Sequence, residues 1–199
     1  MGVEPLLSVR DVACVRGGRW LFEGVSFTLS AGEALVLTGP NGVGKTSLMR
    51  LLAGLSEPAE GTITRPERLA WLGHDNALKR ELGLRANLEL WQAVQGATGD
   101  LGAALDALGL ADLADLPVRL LSQGQKRRAA LVRVAASGAA LWLLDEPTVG
   151  LDTASVAAVA GLIARHRAAG GAVVATTHID LGLAGARSLA LAPPPAEAA

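Results

Sequence analysis

Eight consecutive residues carry the clearest chemistry in the chain: Gly39, Pro40, Asn41, Gly42, Val43, Gly44, Lys45 and Thr46 follow the pattern G-x-x-x-x-G-K-[ST]. The glycines let the backbone curl until successive N–H groups point inward. The lysine adds a point charge suited to β- and γ-phosphates, and the threonine hydroxyl suits Mg2+. A nucleoside triphosphate is the kind of polyanion such a nest neutralises. Further along, Asp145 and Glu146 follow an apolar run. The first carboxylate suits Mg2+, directly or through water, and the second suits polarising a water for attack on a γ-phosphate. Two acids in sequence also make an ordinary exit from a strand into a loop.

These groups need particular elements to hold them. Residues 34–38 are apolar and a helical pattern begins near Lys45, so the loop lies between strand and helix as phosphate binding requires. The N-terminal dipole of that helix adds about 0.3–1 kcal/mol per nearby exposed charge. Residues 140–144 are uninterruptedly apolar, which predicts a parallel strand covered on both faces. Its carboxyl end, where Asp145 and Glu146 stand, is the usual ligand position in an open α/β sheet. Residues 172–176 predict the next buried strand and 188–191 an edge.

Upstream, residues 6–12 and 22–29 read as antiparallel strands around a Gly17-Gly18 turn, and a further short strand covers 62–65. Residues 69–72 predict a buried strand ending in the polar loop Gly73-His74-Asp75-Asn76. From 84 to 120 the pattern is helical. Leu84, Leu88, Trp91 and Val94 share one face, and Leu101, Leu105 and Leu108 share another, which predicts a helical lobe at about 75–120 inserted in the α/β core. Ser122 suits the N-cap of the next helix, with Leu131 and Val134 inward. Residues 153–167 predict an amphipathic helix with Val156, Val159, Leu162 and Ile163 inward, stopped by Gly170-Gly171.

With 199 residues, half of them hydrophobic, the chain suits one main domain over 1–192 with a short extended tail at 193–199. A net charge of −1 gives no global basic field for nucleic acid or anionic lipid. The cluster Lys126-Arg127-Arg128 is explained by a solvated helix face. Cys14 alone supports neither an intramolecular disulfide nor a thiolate cage. No stretch approaches the roughly 18–20 apolar residues of a membrane span, and residues 1–5 lack the pattern of a signal peptide, so a soluble, cytoplasmic protein is expected.

Leu121-Ser122-Gln123-Gly124-Gln125 lies between the loop and the acids, with Pro147-Thr148, Gly150-Leu151-Asp152 and His178 after them. This ordered set resembles the ATP-binding cassette (ABC) ATPases from about residue 6 to 191. The resemblance implies an α/β P-loop NTPase core with a mostly parallel sheet, a trimmed N-terminal antiparallel lobe and the inserted helical lobe. It implies ATP on Gly39 to Thr46, Ser47 and Arg16, Mg2+ on Thr46 and Asp145, and Glu146, His178 and His74 around the γ-phosphate. Ser122, Gly124 and Gln125 form the family signature, here L-S-Q-G-Q for the commoner L-S-G-G-Q. In the family it contacts ATP held by a second copy, so a head-to-tail dimer is implied. Ser122 as an ordinary N-cap is the plainer alternative, as a strand-end core histidine is for His178.

Arg16 stands where the family usually has an aromatic residue on adenine, and a guanidinium can also stack on a base. His74 stands where a glutamine is usual, and the segment from Thr46 to His74 is short. With residues 14–19, 72–79 and the Asn87-Leu88 pair, these are similar to one branch, the ATP-binding subunits of heme exporters in cytochrome c maturation. Gly83 and Ala86 depart from it. The branch implies transmembrane permease subunits as partners, at the cytoplasmic face of the bacterial inner membrane. No heme ligand is expected in this chain: there is no C-x-x-C-H, and His166 reads as solvated at a helix C-terminus. Another exporter's ATPase, a soluble cassette ATPase acting on nucleic acid, and a P-loop kinase or GTPase are the alternatives. Nucleic-acid relatives carry two cassettes or a long coiled coil, and a kinase or GTPase leaves Ser122, Asp152 and His178 unexplained.

Overall fold

The computed structural model describes residues 4–177 and 181–193. Five parallel strands form the central sheet: β3 (Ala34–Thr38), β5 (Leu69–Leu72), β6 (Leu141–Asp145), β7 (Ala172–Thr176) and β8 (Arg187–Ala190), ordered β5-β6-β7-β3-β8. A second, antiparallel sheet has the order β2-β1-β4, from β1 (Leu7–Arg16), β2 (Arg19–Leu29) and β4 (Glu60–Thr64). The parallel core, antiparallel lobe and helical insertion expected from the sequence are therefore present.

Alternation along the central strands explains why both faces are covered. Leu141 and Leu143 of β6 pack into one hydrophobic cluster, and Trp142 and Leu144 into the other. The first cluster holds helix α1 (Lys45–Leu52), through Leu48, Met49, Leu51 and Leu52, together with Leu7, Val9, Phe22 and Leu29 of the antiparallel sheet. The second holds α2 (Leu84–Gln95), α3 (Leu101–Ala107), α4 (Gln123–Ala135) and α5 (Thr153–Ala168). The helical region thus shares its core with the outer face of the sheet.

β1 is longer than its hydrophobic pattern predicts. Asp11 has φ 49°, its N–H donates to the Ser26 hydroxyl at 2.8 Å, and that hydroxyl donates to Asp11 Oδ1 at 3.0 Å. This bulge breaks the two-residue period while the strand continues to Arg16. In α2, Leu84, Asn87 and Leu88 are buried but Val94 is 71% exposed, which corrects the expected apolar face. Asn87 replaces it as the anchor: it accepts from Lys79 N–H at 2.7 Å and donates to the carbonyls of Lys79 and Gly83. Ser122 caps α4, accepting from Gln125 N–H while the Gln125 side chain accepts from Ser122 N–H at 2.7 Å, a reciprocal capping box.

Candidate nucleotide site

The phosphate loop joins β3 to α1 at the carboxyl edge of the sheet. Gly44 adopts φ 107°, and a Cβ there would lie 3.0 Å from the Phe22 ring of β2, so the loop is seated against the antiparallel sheet where a side chain has no room. Gly39, at φ 132°, meets the same limit from the Leu191 carbonyl, 2.6 Å from a built Cβ. The first N–H groups of α1 have no partner within the helix and open toward the loop. Lys45 lies across the loop, its ammonium donating to the carbonyls of Gly39 at 2.7 Å and Pro40 at 3.1 Å.

Asn41, Gly42, Gly44, Lys45, Thr46 and Ser47 line a cavity of about 390 Å³, and Asp145, Glu146, Val149 and Leu21 complete its wall. Strand β7 lies between β3 and β6, and the side chain of its last residue holds the end of β6. The Thr176 hydroxyl, fully buried, donates to Asp145 Oδ1 at 2.6 Å and accepts from Glu146 N–H at 2.9 Å. Glu146 has φ 49°, left-handed backbone that a non-glycine side chain adopts at a cost of about 1–3 kcal/mol. The bond from Glu146 N–H to the Thr176 hydroxyl helps hold the residue in that conformation where the chain leaves β6.

The donor set fits ATP with Mg2+. Two hydroxyls and two carboxylates in a single cavity are hard oxygen donors, and Mg2+ needs only one or two protein oxygens when phosphates and water supply the rest. Among the described residues no group of three His, Cys, Asp or Glu converges on a metal, so an all-protein cage is not the alternative.

The other expected residues fall in three places. His74 is exposed and lines a second cavity, of about 270 Å³, with Asn76, Gln123, Arg127, Glu146, Val149 and Gly150; Glu146 and Val149 border both cavities. Arg16 is exposed and is absent from the lining of the larger cavity, lying instead beside Cys14. Burial raises the Cys14 thiol pKa, against the charge of Arg16 and hydrogen bonds from Arg16 and Ser47. Ser122, Gly124 and Gln125 line neither cavity, and Gly124 packs toward the Gly150 carbonyl. His178 and the proline-rich end beyond residue 193 lie outside the described residues.

Sequence reading missed Arg127 and Thr176. Arg127, assigned to a solvated face, is 6% exposed and donates to backbone at the ends of both β5 and β6. Its spacing from Leu131 and Val134, four and seven residues on, was the available signal, since it puts all three on one helix stripe. Arg128 is also tied down, donating to the Leu108 carbonyl at 2.7 Å. His166, expected to be solvated, stacks on Trp142 with ring centroids 3.7 Å apart.

A phosphate loop after one parallel strand and an acid pair ending another, joined through the strand between them, define a P-loop nucleoside triphosphatase. Residues 22–149 match the ABC transporter family, and the chain belongs to that family as an ATP-hydrolysing subunit. Among curated relatives, the cytochrome c biogenesis ATP-binding export protein CcmA of Gluconobacter oxydans is 55% identical over 92% of this chain and 86% of its own length. The protein of the same name from Paracoccus denitrificans is 50% identical over 94% of this chain and 90% of its own length. A solved structure described as the ATP binding subunit of an ABC transporter superposes with a TM-score of 0.85 at 24% identity, over 94% of this chain and 85% of that one.

Proposed function

We propose that the chain is the ATP-hydrolysing subunit of the heme exporter complex of cytochrome c biogenesis, one ATP-binding domain over residues 1–192. In this reading ATP hydrolysis drives release of a heme-loaded chaperone on the far side of the bacterial inner membrane. Near-full-length relatives carrying the cytochrome c biogenesis name support the pathway. The observation that carries the chemistry is the convergence of Lys45, Thr46, Asp145 and Glu146 on one cavity.

Gly39 to Ser47 cradle the phosphates, every residue but Pro40 carrying a backbone N–H, and Lys45 leaves its own loop carbonyls to bind the β- and γ-phosphates. Thr46 and Asp145 are the residues that would hold Mg2+, which would supply positive charge to the phosphates. Glu146 accepts a proton from the attacking water, with His178 and His74 serving the γ-phosphate. Arg16 stacks on the base. Ser122, Gly124 and Gln125 serve the ATP of a second copy, a reading supported by their absence from this chain's own cavity. The surface around Trp71 and His74 meets the transmembrane permease subunits, which hold the protein at the cytoplasmic face and themselves carry any heme ligands. No nucleic-acid partner is expected.

ATP hydrolysis by the purified chain against protein concentration, with Lys45→Ala and Glu146→Gln beside it, tests this. We expect activity to rise more than linearly with concentration and to vanish in both variants. Loss of the general base costs about 10²–10⁴-fold, and Glu146→Gln should accumulate an ATP-bound dimer. A monomeric Glu146→Gln protein hydrolysing at the parent rate refutes the assignment.

A further inference from the structure

Arg127 binds two strand ends through a single guanidinium. Nη1 donates to the Gly73 carbonyl at 2.8 Å and to Asn76 Oδ1 at 3.2 Å, both in the loop that follows β5 and carries His74. Nη2 donates to the carbonyls of Asp145 and, at 2.8 Å, Glu146, where the chain leaves β6. The planar fork therefore spans the gap between adjacent parallel strands just beyond their last paired residues. None of these hydrogen-bond partners is a carboxylate, so the directional bonds of the side chain fix the two strand exits. Burial lowers its pKa, and the charges of Asp145 and Glu146 oppose that shift.

What it fixes is the costly part of the site. Glu146 sits in left-handed backbone, its N–H held by Thr176 and its carbonyl by Arg127. Strain of this kind persists only where the surroundings over-determine it. Arg133, further along the same helix, offers an internal comparison. It donates to the carbonyls of Asn76 and Ala77 at 3.0 and 2.9 Å, clamping the His74 loop without touching Glu146.

We propose that Arg127 is a positioning residue for hydrolysis: it sets the backbone of Glu146 and of the His74 loop in one fixed relation, so that both side chains enter the cavity they share. It does this without lining the phosphate cavity. Because Arg127 belongs to the helix capped by Ser122, any tilt of that helix reaches Glu146 directly. The inference rests on Glu146 acting as the general base.

The test uses the full chain carrying Arg127→Gln, Arg127→Lys, Arg133→Gln or Glu146→Gln, followed by steady-state hydrolysis, equilibrium ATP binding and amide hydrogen exchange. Lysine keeps the charge but presents one donor centre, which reaches one strand end and not both. Both Arg127 variants should hold ATP within about twofold of the parent while kcat falls by up to about 10²-fold, the scale of a misplaced catalytic group. Amides 73–77 and 145–150 should exchange faster together while 39–47 stay unchanged; Arg133→Gln should loosen only 76–77. Parent-like kcat in the Arg127 variants overturns the proposal, as does a matching fall in ATP affinity or faster exchange over 39–47. If Glu146→Gln itself retains hydrolysis, the role of Glu146 fails instead, and the joint exchange of the two segments decides the positioning role alone. Should the glutamine variant not fold, the lysine variant and its exchange pattern give the answer.

Discussion

Replacing Thr176 with valine removes one buried hydroxyl and keeps the shape of the side chain. That hydroxyl donates to Asp145 Oδ1 at 2.6 Å and accepts from Glu146 N–H at 2.9 Å, in a residue with no exposed surface. A hydrogen bond to a charged group contributes about 1.5–3 kcal/mol and a neutral one about 0.5–1.5 kcal/mol. Glu146 N–H keeps the Thr176 carbonyl at 3.2 Å, so its loss falls at the lower end. The two together give about 2–4 kcal/mol, or a drop of roughly 5–15 °C in melting temperature for a chain of this size. Thr176→Ser makes the opposite cut, keeping the hydroxyl and deleting a methyl, for about 1–1.5 kcal/mol and roughly 2–6 °C. Thermal unfolding of the nucleotide-free chain, followed by circular dichroism, should rank parent above serine above valine. A serine variant that melts below the valine variant would show that methyl packing outweighs the hydroxyl bridge, and the account of how Thr176 holds the end of β6 would fall.

The strain at Glu146 predicts that Glu146→Gly is more stable than Glu146→Ala by about 1 kcal/mol, since only glycine relaxes the left-handed backbone; equal denaturation midpoints would refute it, and neither variant should hydrolyse ATP. Burial lowers the His166 pKa from its ordinary 6.5, with the Ala172 and Ala140 carbonyls opposing. As pH falls through about 6.5 the unfolded chain therefore takes up the proton first, so stability present at neutral pH is lost toward acid. The parent melting temperature should fall more steeply between pH 7 and 5 than that of His166→Phe, which keeps a ring on Trp142. Parallel curves would remove His166 as the cause.

Features set by local chemistry were legible in the sequence. The pattern Gly39 to Thr46 and the Ser122 cap announce themselves in their own residues, and β3, β5 and β7 lie where their apolar runs put them. Features set by contact across the fold were not. The bulge at Asp11 depends on Ser26, fifteen positions away, so β1 hides its length from any period count. Val94 has the spacing of a core residue, yet α2 turns inward only through Leu84, Asn87 and Leu88. Arg127 and His166 were misjudged for one reason: charge and polarity argue for solvent unless a cluster of backbone carbonyls or a facing ring is known to be waiting. Gly171 leaves room for the imidazole itself, since a Cβ there would lie 2.2 Å from His166.

The outer strands of the central sheet, β5 and β8, are each four residues long. Arg187 at the start of β8 is tied back to the Thr28 carbonyl and to Glu33, and Pro193 follows soon after its end. A long bare margin invites a neighbour to add its own strand, the first step toward a fibre. These margins offer only a few outward amides, so copies of the chain have little to grip along the edges of the central sheet. For a subunit proposed to meet and part from its twin at a membrane with every round of ATP, blunt margins would keep each encounter reversible. In that proposal the loops at the strand tips are the surface on which partnership is made and undone.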